Sequence, residues 1–506
     1  MKNFKRNILI LSVFFTTLLA GAYDFESNGI YYNILSKEAR TVAVTAGDRI
    51  ANNYSGEVEV PAIVSHEGTA YMVSAVDIRA FGYCYDLEKV SLPETVLTVG
   101  QSAFLYCEAL KEVTFSEGLQ IIEPHAFDNC ISLQKISFPS TLQLISEQAF
   151  TDCESLADIN FGSKSSLELI SVEAFARCKS LTNVTLPASL TFCGERAFLY
   201  CSNLEAISVA SANEKFSSFE GVLYNKDFTE VVECPGALTS VTLKETVTKI
   251  QPSAFYGCFN LKEVAFPSSL EAIGGWAFFG CLALQEISLP ESVKTIGAAA
   301  FKNCAAITEV KLPPLLTEIP ESAFSTCYAL KSIDIHNNIT SIGNNAFSEC
   351  FALTKAEIGH KVTTIGDRAF HFCTALTDVT LGESVEWIGF RAFMGDEEIQ
   401  NFLCYPEVPP VVDGELVEPE VYESATLYVL LDSLMDYASI SPWSNFSNFS
   451  PSLTDVSSLN VDSESIVRVY SLDGILVKEG SREILNSIPK GIYIIKENGT
   501  ARKVII

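Results

Sequence analysis

Fifteen cysteines and five histidines are the residues of this 506-residue chain whose types could do chemistry. In an exported chain that many thiols would usually signal disulfides or a metal. Their spacing argues otherwise. Twelve of them (Cys84, Cys107, Cys130, Cys153, Cys178, Cys201, Cys258, Cys281, Cys304, Cys327, Cys350 and Cys373) follow an Ala-Phe pair by the same step. If each copy is one coil of a stack, these thiols form a column about 4.8 Å apart. That distance permits a bridge, but parallel side chains aim poorly at one another. The column therefore reads as thiols packed in a core, where Cys acts as a small hydrophobe. A few bridges or a bound metal are the alternatives. Cys193, Cys234 and Cys404 fall off the column, and Cys193 replaces the usual Ile ahead of Gly194. His66, His125, His336, His360 and His371 are scattered, with no His-Glu-x-x-His among them. There is no Gly-x-Ser-x-Gly, Walker loop or Gly-x-Gly-x-x-Gly. The chain does not read as an enzyme, and no cofactor is expected.

The element that must position the cysteines is a repeat. Ala-Phe opens twelve units, from Ala80 to Ala369, and ten of the eleven intervals are 23 or 25 residues. A fixed period in the twenties marks a solenoid, whose units are too small to bury a core alone. Within a unit, Leu87, Val90 and Leu92, or Leu284, Ile287 and Leu289, alternate as a strand. Proline often ends it, as at Pro93, Pro139 and Pro290. A second apolar pair follows, such as Val293 and Ile296. Ala-Phe-x-x-Cys then turns the chain back, which reads as a short helical turn. Phe is the large filler and Ala the small neighbour that admits it. From Ala197 to Ala254 the interval is 57 residues. Glu220 through Val232 in that stretch reads as a projecting β-hairpin with a polar turn.

The ends differ. Residues 1–22 read as a secretory signal: Lys2, Lys5 and Arg6 precede an apolar run from Ile8 to Ala20, closed by Ala20-Gly21-Ala22. That run is too short for a membrane span. No later segment approaches 18 unbroken apolar residues, so the mature chain is not expected to span a membrane. Residues 23–79 read as a β cap, 80–398 as the solenoid with its insertion near 210–237, 399–450 as the closing cap, and 451–459 as a Ser-rich linker. In the closing cap, Tyr437, Trp443, Phe446 and Phe449 supply aromatics to cover the last coil, and 413–420 is an acidic loop. Residues 460–506 read as a separate small β unit. The net charge of −28 disfavours nucleic acid and anionic lipid as partners and keeps a long chain soluble.

The units resemble BspA-like leucine-rich repeats of bacterial surfaces, through Ala-Phe-x-x-Cys-x-x-Leu-x-x-Val-x-Leu-Pro over 80–395. The caps fit the resemblance through Gly29-Ile30-Tyr31-Tyr32, Pro409-Pro410, Leu427-Tyr428-Val429 and Trp443-x-x-Phe446, with Leu430 standing where the class has Pro. Residues 466–506 resemble a C-terminal sorting domain of type IX secretion, through Val469-Tyr470-Ser471-Leu472-Asp473-Gly474 and Pro489-Lys490-Gly491-Ile492-Tyr493-Ile494. The resemblance implies a leucine-rich repeat solenoid with coils of about 23 residues, followed by a small C-terminal β-sandwich-like domain. It also implies a secreted protein associated with the cell surface or outer membrane, acting as a binding scaffold or adhesin.

The surface suggests where a ligand would sit. The strand face carries small polar and mixed charged residues, such as Ser91, Thr114, Lys89 and Glu112. It lacks the large anchors of an interface hot spot. The Ala-Phe-x-x-Cys edge concentrates aromatics, and the candidate ligand contacts are Tyr83, Tyr85, Tyr106, Tyr200, Tyr256, Phe259 and Phe279, with Tyr224 on the hairpin. Tyr328, Phe351 and Phe372 share that edge. The competing reading is that these rings only cover neighbouring turns. The expected partner is a protein on a host or neighbouring cell. A surface glycan, or a purely structural role, is the alternative.

Overall fold

The computed structural model describes residues 23–48, 51–451, 467–471, 476–480, 492–497 and 500–505. The signal-like segment and the Ser-rich linker lie outside them. The chain divides into two compact units, Met1–Lys226 and Asp227–Ile506, each taken here by itself.

The first unit opens with an antiparallel meander of Phe25–Ser27, Ile30–Ser36 and Thr41–Thr45. Thr41–Thr45 then pairs in parallel with Thr69–Val76, and Thr69–Val76 with Thr98–Val99. Ile121–Ile122, Leu144–Ile145, Leu169–Ile170 and Phe192–Cys193 extend the same ladder, one strand per coil. The Leu-x-x-Val-x-Leu strands, as in Leu87–Ser91 and Glu112–Thr114, form the opposite wall, which the cap strand Gly56–Glu59 begins. Alternation explains both walls: Val90, Val113, Val99 and Ile122 point inward and are buried, while their neighbours face out.

Between the walls runs a stack of phenylalanines. Phe81, Phe104, Phe127 and Phe150 lie 4.7–4.9 Å apart, within 6° of parallel. That is the strand spacing of a sheet, because each ring is carried by one coil. The second unit repeats the arrangement from Phe255 to Phe393, with centroids 4.6–5.7 Å apart.

The Ala-Phe-x-x-Cys segment is not helical. The residue before Ala and the third after it both have positive φ: Arg79 (52°) and Tyr83 (61°), then Ser102 (55°) and Tyr106 (57°). A left-handed residue at every fourth position cannot continue a right-handed helix. The donors explain the choice. The N–H groups of Phe81 and Tyr83 reach the carbonyls of Ala103 and Leu105 in the next coil, both at 2.7 Å. A helical turn would have spent those donors within its own coil. Gly257, Gly280 and Gly395 occupy the second left-handed position without strain. Elsewhere Tyr, Asn, Asp, Arg, Thr, Glu and Phe take it.

The insertion forms β strands as expected but does not project. Phe216–Phe219 pairs antiparallel with Val222–Asn225, and the reversal is at Glu220-Gly221, both with positive φ as a tight hairpin demands. Val222, Leu223 and Tyr224 are buried, so this strand lines the core rather than projecting. The Gly221 carbonyl accepts the Ile207 N–H at 2.8 Å, which ties the hairpin to the preceding coil.

In the second unit the coil lacking Ala-Phe keeps its register. The Cys234 N–H donates to the Ala254 carbonyl at 2.7 Å, as Phe255 does to Ala277. Cys234 therefore stands in the phenylalanine position, off the thiol column as its spacing indicated. The unit closes with strands Asn401–Cys404, Thr426–Val429 and Asn448–Pro451 and helices Pro419–Ser424 and Leu434–Ser439. Trp443, Tyr437, Phe446 and Phe449 are buried here, as their composition suggested. The Trp443 Nε1–H donates to the Pro410 carbonyl at 2.8 Å. Asn448–Pro451 then pairs antiparallel with Thr500–Ile505, which leads on to Ile492–Glu497, Val467–Tyr470 and Leu476–Gly480.

Candidate ligand-binding edge

All fifteen cysteines are buried free thiols. The column is more than apolar filler. The Cys107 S–H donates to the Phe81 carbonyl one coil back (Sγ···O 3.0 Å), Cys130 to Phe104 (3.2 Å) and Cys153 to Phe127 (3.2 Å). The second unit repeats the bond, for example Cys304 to Phe278 at 3.1 Å. Sequence spacing could have suggested this only if the left-handed turn that aims the carbonyl had been known. Burial, with Cys107 adding to it, pushes the Cys84 thiol up to about 12, and burial alone does the same for Cys327. Such thiols are poor nucleophiles and poor metal ligands at neutral pH.

The histidines have separate local roles. His125 Nδ1 lies 3.0 Å from Asp128, and His336 Nε2 lies 2.9 Å from the Pro313 carbonyl. Burial, and then Arg368, lower the pKa of His371, which packs edge-on against Phe372. Among the described residues no group of three or more His, Cys, Asp or Glu is placed to hold a metal.

The candidate aromatics fall on both units. In the first, Tyr83 and Tyr106 stack at 5.6 Å and 11°, with Tyr85 edge-on to Tyr83 at 6.4 Å. Tyr85 and Tyr106 are exposed and Tyr83 half-buried. Tyr200 is half-buried under the Arg177 guanidinium, 5.6 Å from its ring. Tyr224 is fully buried and is removed from the set: its strand packs inward. In the second unit, Tyr256 and Phe279 stack at 4.6 Å, and Trp276 leans on Phe279 at 5.4 Å. Trp276 is exposed at the left-handed position before Ala277, and sequence reading overlooked it.

A second feature of this unit emerges from the register. The residue after each column Cys is Phe259, Leu282, Ala305, Tyr328 and Phe351 in successive coils. The four large ones are each 39–43% exposed. Tyr328 and Phe351 stack at 5.0 Å and 6°. The residue beside them is Asn260 after Phe259, which is exposed, and then Ala283, Ala306, Ala329 and Ala352, all half-buried. The column is thus an apolar stripe bordered by small side chains. At the same place the first unit carries Tyr85, Glu108, Ile131, Glu154, Lys179 and Ser202, a mixed rather than continuous apolar row. Its strand face is tied by cross-coil ion pairs, Lys89 to Glu112 at 3.3 Å and Lys111 to Glu88 at 2.7 Å. These are exposed, so they set charge pattern more than stability.

The model of the BspA type leucine rich repeat region matches six copies, over residues 74–205, 231–354 and 294–408. This chain belongs to the BspA-type leucine-rich repeat family. It is a family of surface proteins, often binding scaffolds or adhesins, and not known as enzymes. Among solved structures, a leucine-rich cell surface protein from Faecalibacterium prausnitzii A2-165 is 27% identical, covering 70% of this chain and 93% of its own, with a TM-score of 0.50. The pneumococcal vaccine antigen PcpA is 21% identical, covering 83% and 96%, with a TM-score of 0.54. A leucine-rich repeat protein from Eubacterium ventriosum ATCC 27560 is 24% identical, covering 72% and 91%, with a TM-score of 0.51. The last two likenesses show the fold alone. No curated protein matches the chain. In this BspA-type chain, among the described residues, no helix is long and apolar enough to cross a membrane.

Proposed function

We propose that this protein is an exported, cell-surface scaffold that binds a protein on a host or neighbouring cell through its aromatic turn edge. The carrying observation is the exposed stripe of Phe259, Leu282, Tyr328 and Phe351 on the second unit. The phenylalanine stack already fills the core, so folding does not require large apolar side chains at this position. The corresponding Glu108, Glu154 and Lys179 of the first unit demonstrate that polar residues serve there. Exposed rings contribute contact area at low entropy cost, and hot spots favour them.

Stacking supports protein over glycan. Tyr328 and Phe351, like Tyr83 and Tyr106, each cover one face of their partner. A stack leaves fewer free ring faces for a sugar, while its edges and the small alanine border still receive apolar protein side chains. Surface delivery rests on the signal-like residues 1–22, on the sorting-like residues 466–506 and on the surface protein from Faecalibacterium prausnitzii. The test is binding of the mature chain to a panel of extracellular-matrix and cell-surface proteins and, in parallel, to a glycan array. Saturable protein binding that Tyr328→Ala with Phe351→Ala abolishes, without change in melting, supports the reading. Binding confined to glycans would overturn it.

A further inference from the structure

The coil opened by Ala392-Phe393 keeps the register of the others. Both residues are buried, and Phe393 stacks on Phe370 at 5.2 Å. The position that holds Cys in the twelve regular units is here Asp396. Its side chain is fully buried, and neither carboxyl oxygen has a hydrogen-bond partner. In the coils before it the equivalent side chain donates to the preceding Phe carbonyl: Cys373 to Phe347 at 3.2 Å, Cys350 to Phe324 at 3.3 Å. The carbonyl in that relation to Asp396 is that of Phe370. An ionised carboxylate has no proton to donate and would meet another acceptor.

The surroundings offer no compensating charge. Glu418, from the closing segment, receives the Gly395 N–H on one oxygen, and its other oxygen is buried without a partner. Tyr422 stands near Glu418 and is itself kept neutral by burial. Cys373, from the preceding coil, is a neutral thiol already donating to Phe347. On Asp396's own segment, Glu397 and Glu398 face solvent. Arg391 lies over the Phe390 ring at 4.8 Å, 3.9 Å from Glu415. An unpaired charge buried in such a place is strongly unfavourable.

We propose that Asp396 is held as the neutral carboxylic acid, its hydroxyl donating to the Phe370 carbonyl of the preceding coil in place of the thiol, and that this proton spares Glu418 of the closing segment a buried like charge. Burial raises the affinity of Asp396 for the proton well above the ordinary carboxylate range; the nearby Cys373 N–H, whose hydrogen bond goes to the Phe370 carbonyl, partly opposes this, and the Glu418 charge adds to it. The folded state therefore binds this proton more tightly than the unfolded state. The stabilisation is complete in acid, below the ordinary carboxylate value, and is lost as pH rises through the folded value. The closing segment is thus built to loosen with increasing pH.

Trp443, buried in that segment, reports its opening by fluorescence. The full chain, D396N, D396C and E418Q are unfolded in denaturant at acidic and alkaline pH. The wild-type midpoint is expected to fall further between the two than those of D396N and D396C, which share only the fall from buried thiols that ionise on unfolding. E418Q should lose less than wild type. D396C restores the residue that the other coils carry, so the test survives if D396N does not fold. Equal pH dependence in wild type and D396C would overturn the proposal. So would an alkaline wild-type midpoint restored by added Ca²⁺ but unchanged in D396C, which would put a cation where we place the proton.

Discussion

The Cys130 sulfur lies 3.2 Å from the backbone carbonyl oxygen of Phe104, a residue 26 positions earlier in the chain. That oxygen also accepts the Cys107 N–H of its own coil, at 3.2 Å. One carbonyl thus closes a turn and joins two coils. Cys130→Ala removes the second bond and leaves a small void, at a cost of about 1–2 kcal/mol. A serine hydroxyl at this site finds the same acceptor, so Cys130→Ser should remain within about 1 kcal/mol of wild type. Denaturant unfolding of both variants checks this. A serine variant less stable than the alanine variant would contradict the bond's importance.

The thiols should be silent in the native protein. Because burial pushes Cys84 and Cys327 up to about 12, moderate alkali will not ionise them while the fold holds. Thiol titration should find few reactive groups before denaturation and close to fifteen afterwards without reductant. Almost no free thiol in denaturant would mean bridges instead.

Thr326 sits at φ 60°, a conformation that a β-branched residue adopts at a cost. Glycine fills the same place as Gly280. Relief of roughly 1–2 kcal/mol of left-handed strain, offset by glycine's roughly 0.5–1 kcal/mol of added chain entropy, makes Thr326→Gly stabilising by about 0.5–1 kcal/mol. A lowered denaturation midpoint would show that Thr326 contributes more than its backbone strain costs.

Removal of residues 455–506 should leave the repeats folded, by circular dichroism, but abolish delivery to the cell surface. Truncated protein on the surface at the normal level would exclude the sorting role proposed for the tail.

For binding, Tyr83→Ala with Tyr106→Ala and Tyr328→Ala with Phe351→Ala test the two edges, with Lys135→Glu as the strand-face control. Either edge pair should weaken a protein ligand by tenfold or more, about 1.4 kcal/mol. Weakening by the strand-face change alone would move the site to the sheet.

The period, the buried Ala, Phe and Cys columns and the aromatic closing cap were legible in the chain itself. One residue type recurring every 23 positions must stack on its own copy, and stacked copies bury what they share. The left-handed turn was hidden, because Tyr83, Asn129, Arg177 and Thr326 occupy it with no glycine pattern. What selects it is a row of carbonyls in the next coil, visible only once coils are adjacent. The same adjacency gives each thiol its acceptor, turns Tyr224 into the core, and brings Asp396 into the cysteine register against a carbonyl and Glu418. Local sequence determines which residues repeat. The neighbouring coil decides what each repeated residue touches, because a solenoid's hydrogen bonds run mainly between coils.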